Sequence, residues 1–489
     1  MSRVVGAKLG GSTFPKKDLY GGFSQARDYL INLQKEGNYP VAIVSAPEGM
    51  SDVVLDAERW LVDHEFESKI PIVVKAAEAA SGSKERFVKG IKNGIMGLYS
   101  GEIQKLGSYG GRLLDEMEEE VEKLRVYLLE DGNDQVRKAL PENHSGRWLS
   151  GMLRDVGIES VYLDGMEVGI VASSRGMVKR AVSSMQIQES LKNRVGPGRT
   201  PVVGGYIGRR IDTGEPIILG RNTTDVSGAV VSVGLGAREY QIIKDAPGVY
   251  RIEPKITING NTIEIKTDVI PFMSYNESCQ IAIRGSKVVH PSAIDIAEDA
   301  DLPIRVKSLG GEKGTLISRK SITTPENPVA AISTGLFYLL SVNDSAMSVP
   351  EESRGYGSLV TRIIADSGAS YADTATPAKV MSFAVYSSYD GKKVDIEKVK
   401  KNLEVCLGEY GYEPRYVGYR DVAGMSLTGD AMRGTPGMIA RTSGILAKEG
   451  ISISMQSQSD EKVGPTVINY YVESGDFERA VRALCRELF

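Results

Sequence analysis

At 489 residues the chain is too long for one ordinary core, and its 41% hydrophobic and 25% charged residues are usual for a globular protein of about two to four domains. A net charge of −4 without a basic cluster excludes the electrostatic footprint of a nucleic-acid binder, and no window is apolar enough to span a membrane. Three scattered cysteines (Cys279, Cys406 and Cys485) form neither a disulfide framework nor a metal-ligand spacing, and the opening MSRVVGAKLGG lacks the apolar run of a signal peptide, so a cytoplasmic setting is expected.

In chain order, β-branched runs at 3–8, 40–46, 160–163, 201–208, 239–243 and 302–306 alternate with helical stretches. Strands separated by amphipathic helices predict an α/β fold with a mostly parallel sheet sandwiched by helices. Within 111–130, Leu113, Met117, Val121, Leu124 and Leu128 recur on one helical stripe with acids opposite. Near residues 320–330, Pro325 and Pro328 mark a linker. Beyond it, 331–387 and 423–485 each read as strand, Gly-rich turn, helix and further strands, a diverged duplication of α+β type. In the second copy Met438, Ile439, Thr442, Ile445 and Leu446 are expected on one buried face, and Gly450 at the C-cap.

Four segments carry candidate chemistry. Lys8 precedes Gly10, Gly11 and Ser12, where paired glycines free backbone N–H groups to meet an anion and the lysine adds a point charge for phosphate oxygens. The lysine comes before the glycines, so this is not a Walker loop. Arg221, Thr224 and Asp225 follow Gly220, and an arginine fork suits a carboxylate; an ordinary surface turn is the alternative. Lys244-Asp245-Ala246-Pro247-Gly248-Val249-Tyr250 follows a strand, where nucleotides bind in open sheets. Gly285-Ser286-Lys287-Val288-Val289-His290-Pro291 offers Lys287 to phosphates, whereas His290 reads as packed against the following turn.

Together and in order, these segments resemble the aspartate kinases of the amino-acid kinase family. The family's Lys-Phe-Gly-Gly-Thr-Ser stands here as KLGGST (8–13), its Ser-Ala-Met-Gly-Gly-Val-Thr-Asp as SAPEGMSD (45–52), and its Leu-Gly-Arg-Gly-Gly-Ser-Asp as LGRNTTD (219–225). DAPGVY (245–250), SYNES (274–278), GSKVVHP (285–291) and GTLI (314–317) match further family stretches, and the duplicated tail resembles paired ACT domains. The resemblance implies a kinase segment at 1–320 and ACT-like segments at 328–422 and 423–489, the pair possibly interleaved. It implies ATP with Mg²⁺ carried by the phosphates and no protein metal site. It also implies phosphorylation of the aspartate side-chain carboxylate, an amino-acid effector at the tail, and a homodimer or higher oligomer.

By the same resemblance Lys8 and Asp225 are catalytic. Lys8, Gly10, Gly11, Ser12, Lys244, Asp245, Gly248, Tyr250, Lys255 and Lys287 bind ATP, and Ser45, Glu142, Arg221 and Thr224 bind the acceptor. Glu142 enters by aligning PENHS (141–145), rather than SGRWLS (145–150), with the family's Gly-Glu-Arg-Leu-Ser. The chain departs from the family at Asn222-Thr223, where a Gly-Gly pair is usual, at the exchanged Ser12 and Thr13, and at Pro141. These departures keep two alternatives open: a related carboxylate kinase with another small-acid acceptor, and a catalytically weak regulatory paralogue. In the tail, Ser370-Tyr371-Ala372 and Thr376-Pro377-Ala378 stand where lysine-inhibited relatives carry effector-gripping carboxylates, with Asp373 one position along, so lysine is not expected to be held there.

Overall fold

A computed structural model describes residues 3–62, 71–80, 82–103, 107–129, 134–220, 222–258, 260–284, 289–311, 313–348, 354–389, 392–459 and 467–489. The chain divides into two units, Met1–Val249 with Val289–Arg319, and Tyr250–Val288 with Lys320–Phe489.

In the first unit a sheet runs in the order Thr315–Ser318, Ile304–Lys307, Glu239–Ile243, Val4–Leu9, Tyr39–Val44, Val202–Gly204, Tyr162–Leu163. Its neighbours are parallel apart from Thr315–Ser318, which is antiparallel to Ile304–Lys307. Helices cover both faces, which is why the inner strands Val4–Leu9, Tyr39–Val44 and Val202–Gly204 are buried along almost their whole length instead of alternating. Val5, Ala7, Leu9, Ala42 and Val44 join a core containing residues of the helices Leu19–Lys35 and Asp134–Asp155. The opposite-facing Val41, Ile43 and Val203 join a second core with Ile187, Val230 and Val231. Phe14, Phe23 and Trp148 stack at centroid separations of 4.2 and 4.6 Å beneath the first face, each fully buried. Burying each such ring contributes about 2–3 kcal/mol.

The run 201–208, expected as one strand, is two. Val202–Gly204 stays in the sheet, while Ile207–Arg210 joins Val171–Ala172 and Pro216–Ile218 in a separate three-stranded sheet. The break falls at Gly205-Tyr206, where Tyr206 takes a left-handed φ of 70°. In the helix Gly107–Leu129, Met117, Val121, Leu124 and Leu128 are buried as the stripe requires, and the side chain of Leu113 lies outside the described residues.

The second unit holds an antiparallel sheet in the order Tyr371–Ala375, Val380–Tyr386, Ala331–Asn343, Tyr416–Thr428, Val467–Glu473, Ile453–Gln458. The two 13-residue strands pair along their whole length, from Ala331 with Thr428 to Asn343 with Tyr416. Phe337–Asn343 also pairs with Val380–Tyr386, and Val422–Thr428 with Val467–Glu473, so each long strand serves both repeats. The helix of the second repeat spans Met438–Lys448 and buries Met438, Thr442, Ile445 and Leu446, but Ile439 is 37% exposed. One residue is a 100° rotation on a helix, which carries Ile439 off the apolar face that the sequence assigned it. Gly450 has φ 67° just past the helix, as a C-cap glycine should. The described part of 250–284 also packs in this unit: Ile256, Ile258, Ile263 and Ile265 from a small hairpin share a core with Met425, Leu427 and Leu484.

Candidate active site

Parallel sheets present ligands at the carboxyl ends of their strands. At that end of the central strand Val4–Leu9, Lys8 is 7% exposed and its Nζ lies 2.9 Å from Asp225 Oδ1. Asp225 is the second residue of the helix Thr224–Gly234, and its Oδ2 accepts the main-chain N–H of His290 at 3.1 Å. Burial opposes ionisation of Asp225, but Lys8, Lys244 and the His290 amide outweigh it and hold the carboxyl below its usual range. Lys244, at the end of the neighbouring strand Glu239–Ile243, is pushed down to about 8 by burial, with Lys8 adding to the effect and Asp225 and Asp245 opposing it. One carboxylate thus stands between two lysine side chains in a largely dry setting, an arrangement with spare positive charge for an anion.

The glycine turn sits directly over this group. Gly10 N–H donates to the Ile243 carbonyl at 3.2 Å, and a Cβ on Gly10 would lie 3.4 Å from Lys8 Nζ. On Gly11 it would lie 2.9 Å from the Ala46 carbonyl, so a side chain would collide with the next loop. Ser12 and Asp245 are exposed and Gly248 is buried.

Beside Asp225, Thr224 Oγ1 donates to Glu142 Oε1 at 2.8 Å and lies 3.4 Å from Ser45 Oγ. Glu142 is 5% exposed in the helix Asp134–Asp155, which carries Pro141 in its interior. Burial raises the Glu142 carboxyl to about 7, against the opposing pull of the Thr224 hydroxyl and Lys8. A carboxyl poised near neutrality is drawn further into its ionised form when a cation arrives, which suits it to an ammonium. The site residues expected at 8, 10, 11, 45, 142, 224, 225 and 244 therefore gather around the ends of adjacent strands and one helix N-terminus.

Arg221 and Lys287 lie outside the described residues. Tyr250 and Lys255 belong to the second unit, where Tyr250 bridges to Val269. Lys255 stands on the exposed hairpin with its ammonium 3.1 Å from Glu264, an exposed ion pair. In the loop that departs from the family pattern, Asn222 adopts φ 61°, a conformation asparagine tolerates better than most residues, and Thr223 Oγ1 donates to the Gly220 carbonyl at 2.7 Å.

Sequence reasoning missed three features. His290 acts on Asp225 through its backbone, while its Nδ1 caps the next helix by accepting Ser292 N–H at 3.2 Å; Pro291 at that helix start was the available signal. Tyr162 donates to Asn143 at 2.6 Å beside Glu142, with the Arg147 guanidinium 5.5 Å from the ring centroid. His144 is fully buried, its ring edge-on to Tyr99 at 5.5 Å, and neither ring nitrogen has a hydrogen-bond partner among the described residues. Burial drives His144 down to about 4, with Arg147 assisting.

The amino acid kinase family profile matches residues 3–308, more than half of the chain, and includes every strand that positions this site. The chain belongs to the amino acid kinase family. An ACT domain profile matches residues 425–488, within the second unit. Aspartokinase 1 of Bacillus subtilis is 26% identical over 340 residues, covering 68% of this chain and 77% of the relative. The aspartokinase of Schizosaccharomyces pombe is 25% identical over 490 residues, covering 92% and 89%. Among solved structures, Escherichia coli aspartokinase III with lysine and aspartate superposes with a TM-score of 0.74 at 20% identity over 100% of both chains. The Clostridium acetobutylicum aspartate kinase gives the same TM-score of 0.74 at 20% identity over 99% and 100%. These likenesses establish an amino acid kinase fold followed by an ACT-like antiparallel domain.

Proposed function

We propose that this family member is an aspartate kinase, transferring the γ-phosphoryl group of ATP to the side-chain carboxylate of aspartate. The observation that carries the reading is the adjacency of two charge sets at Thr224-Asp225: the lysine-rich group around Asp225 and the Glu142–Thr224–Ser45 cluster. The first set suits phosphate and the second suits an amino acid's ammonium. The aspartokinase names of the relatives support the same assignment.

Phosphoryl transfer asks a protein mainly for positioning and charge stabilisation. Lys8 and Lys244 face the phosphates, and Asp225 fixes their ammonium groups. The Gly10–Gly11 turn, Ser12, Asp245, Gly248, Tyr250, Lys255 and Lys287 complete the nucleotide site in this reading. Glu142 takes the aspartate ammonium, Arg221 its α-carboxylate, and Ser45 and Thr224 orient the acceptor. The attacking carboxylate is ionised at neutral pH, so no general base is needed. Mg²⁺ enters on the nucleotide phosphates, and Asp225 is already committed to Lys8 and His290.

The reading extends to a kinase segment at 1–320, interleaved ACT-like repeats at 328–422 and 423–489 that answer to an amino-acid effector, a homodimer, and a cytoplasmic location. Among the described residues no helix is long and apolar enough to cross a membrane. The test is ATP consumption with aspartate, glutamate or no acceptor, with hydroxylamine present to trap an acyl phosphate. Aspartate-dependent hydroxamate is expected; hydroxamate formed with glutamate alone, or none with either acid, overturns the assignment.

A further inference from the structure

The strands Tyr371–Ala375 and Ile453–Gln458 are the two outermost in the sheet order of the second unit, yet they lie side by side: Ala372 and Ala375 of one share an apolar cluster with Met455 of the other, and the Asp373 side chain reaches across. Between Tyr371 and Asp373 the pairing with Val380–Tyr386 shifts register, and this irregularity re-aims Asp373. Its Oδ1 accepts Ser457 Oγ at 2.8 Å, Asn469 Nδ2 at 3.2 Å and Arg284 Nη2 at 3.4 Å. Its Oδ2 accepts Arg284 Nη1 at 2.8 Å and the Tyr471 hydroxyl. Asn469 Nδ2 also donates to Ser457 Oγ at 2.9 Å, so the donors brace one another. The Arg284 and Asp373 side chains are only 13% and 11% exposed.

We propose that Asp373 is the anionic centre of a cation site in this sheet and that Arg284 is its built-in occupant, fastening the outer strands together and closing the site to any diffusible cationic amino acid. The fork of a guanidinium matches both oxygens of a carboxylate, which an ammonium cannot do. Each carboxylate oxygen also accepts from the surrounding hydroxyl and amide donors, so a free lysine would have to displace Arg284 and leave it buried without its counter-charge. Removing one partner of such a pair is costly because the other charge stays behind. Arg284 comes from the end of the helix Tyr275–Ile283, so the segment 250–288 is held to the sheet by this pair as well as by its apolar hairpin.

The inference stands apart from the identity of the phosphoryl acceptor, and its test reads binding and melting instead of turnover. Full-length wild type, Arg284→Ala, Arg284→Met and Arg284→Ala/Asp373→Asn are melted with guanidinium chloride at about 10–50 mM, against equal sodium chloride. Both single variants should melt several degrees below wild type. Guanidinium should restore them saturably, while leaving wild type and the double variant without a saturable gain. Calorimetric titration of lysine into wild type should show no heat that Asp373→Asn removes, a measurement that holds even if the arginine variants fail to fold. Asp373-dependent lysine binding to wild type, or single variants that guanidinium does not restore, overturns the proposal.

Discussion

Replacing Glu142 by Gln keeps the side chain's volume and its ability to accept the Thr224 hydroxyl, but removes the charge assigned to the substrate ammonium. Loss of a partner at a desolvated charge pair costs about 2–5 kcal/mol, so the aspartate KM should rise at least thirtyfold while the ATP KM stays near its wild-type value. The raised carboxyl gives this effect a pH signature. With Glu142 titrating at about 7 in the free enzyme, ionised carboxylate falls roughly tenfold between pH 8 and pH 6. Wild-type KM for aspartate should therefore climb about tenfold over that interval, and the glutamine variant should lack this component. The variant-to-wild-type ratio then shrinks from about a hundredfold at pH 8 to about tenfold at pH 6. Steady-state kinetics with a coupled ADP assay at both pH values, varying each substrate, makes the measurement. A ratio that does not change with pH would refute the electrostatic role. A silent Glu142→Gln beside a damaging Arg147→Ala would move the acceptor motif to SGRWLS.

Lys8→Met should lower kcat about a hundredfold or more, and it leaves Asp225 buried without its nearest cation, so a lower melting temperature should accompany the loss. Wild-type turnover in that variant would remove the N-terminal turn from the phosphate site. Lys244 titrates at about 8 in the free enzyme, so kcat/KM for ATP should decline above pH 8 as its charge is lost, and Lys244→Arg should flatten that limb. His144 is held down to about 4 from an ordinary value near 6.5, so its contribution to stability is full above pH 6.5 and lost as pH falls through 4. His144→Leu, which also removes two unpartnered buried nitrogens, should shift the acid unfolding midpoint downward; circular dichroism across pH 3–7 checks it.

The parallel sheet was legible because its strands are buried on both faces and so stand out as β-branched runs between helical stretches. The kinase cluster was legible only through ordered motifs. Nothing local to Lys8 indicates that it will meet Asp225, because that pairing is made by neighbouring strand ends and one helix start. Lys255, an ATP ligand by resemblance alone, stands on an exposed hairpin facing Glu264, a setting its local sequence did not signal. The placement of 250–288 in the second unit left no signal either, since its short strands bury alternate isoleucines against residues far along the chain. The same holds for Asp373, whose partner Asn469 is 96 residues away. The pairing irregularity at Asp373 and the donors that take it up are supplied only by the folded sheet.

The two long strands make the tail unsuited to cut-and-paste. A break at residue 422 or 423 divides Tyr416–Thr428 in its middle and strips one repeat of an edge it shares with the other. A fragment beginning at 320 keeps the sheet but loses Arg284 and the isoleucine hairpin, exposing Met425, Leu427 and a bare Asp373. Swapping effector modules between enzymes of this architecture therefore calls for transplanting both repeats together with the 250–288 excursion, as one indivisible cassette.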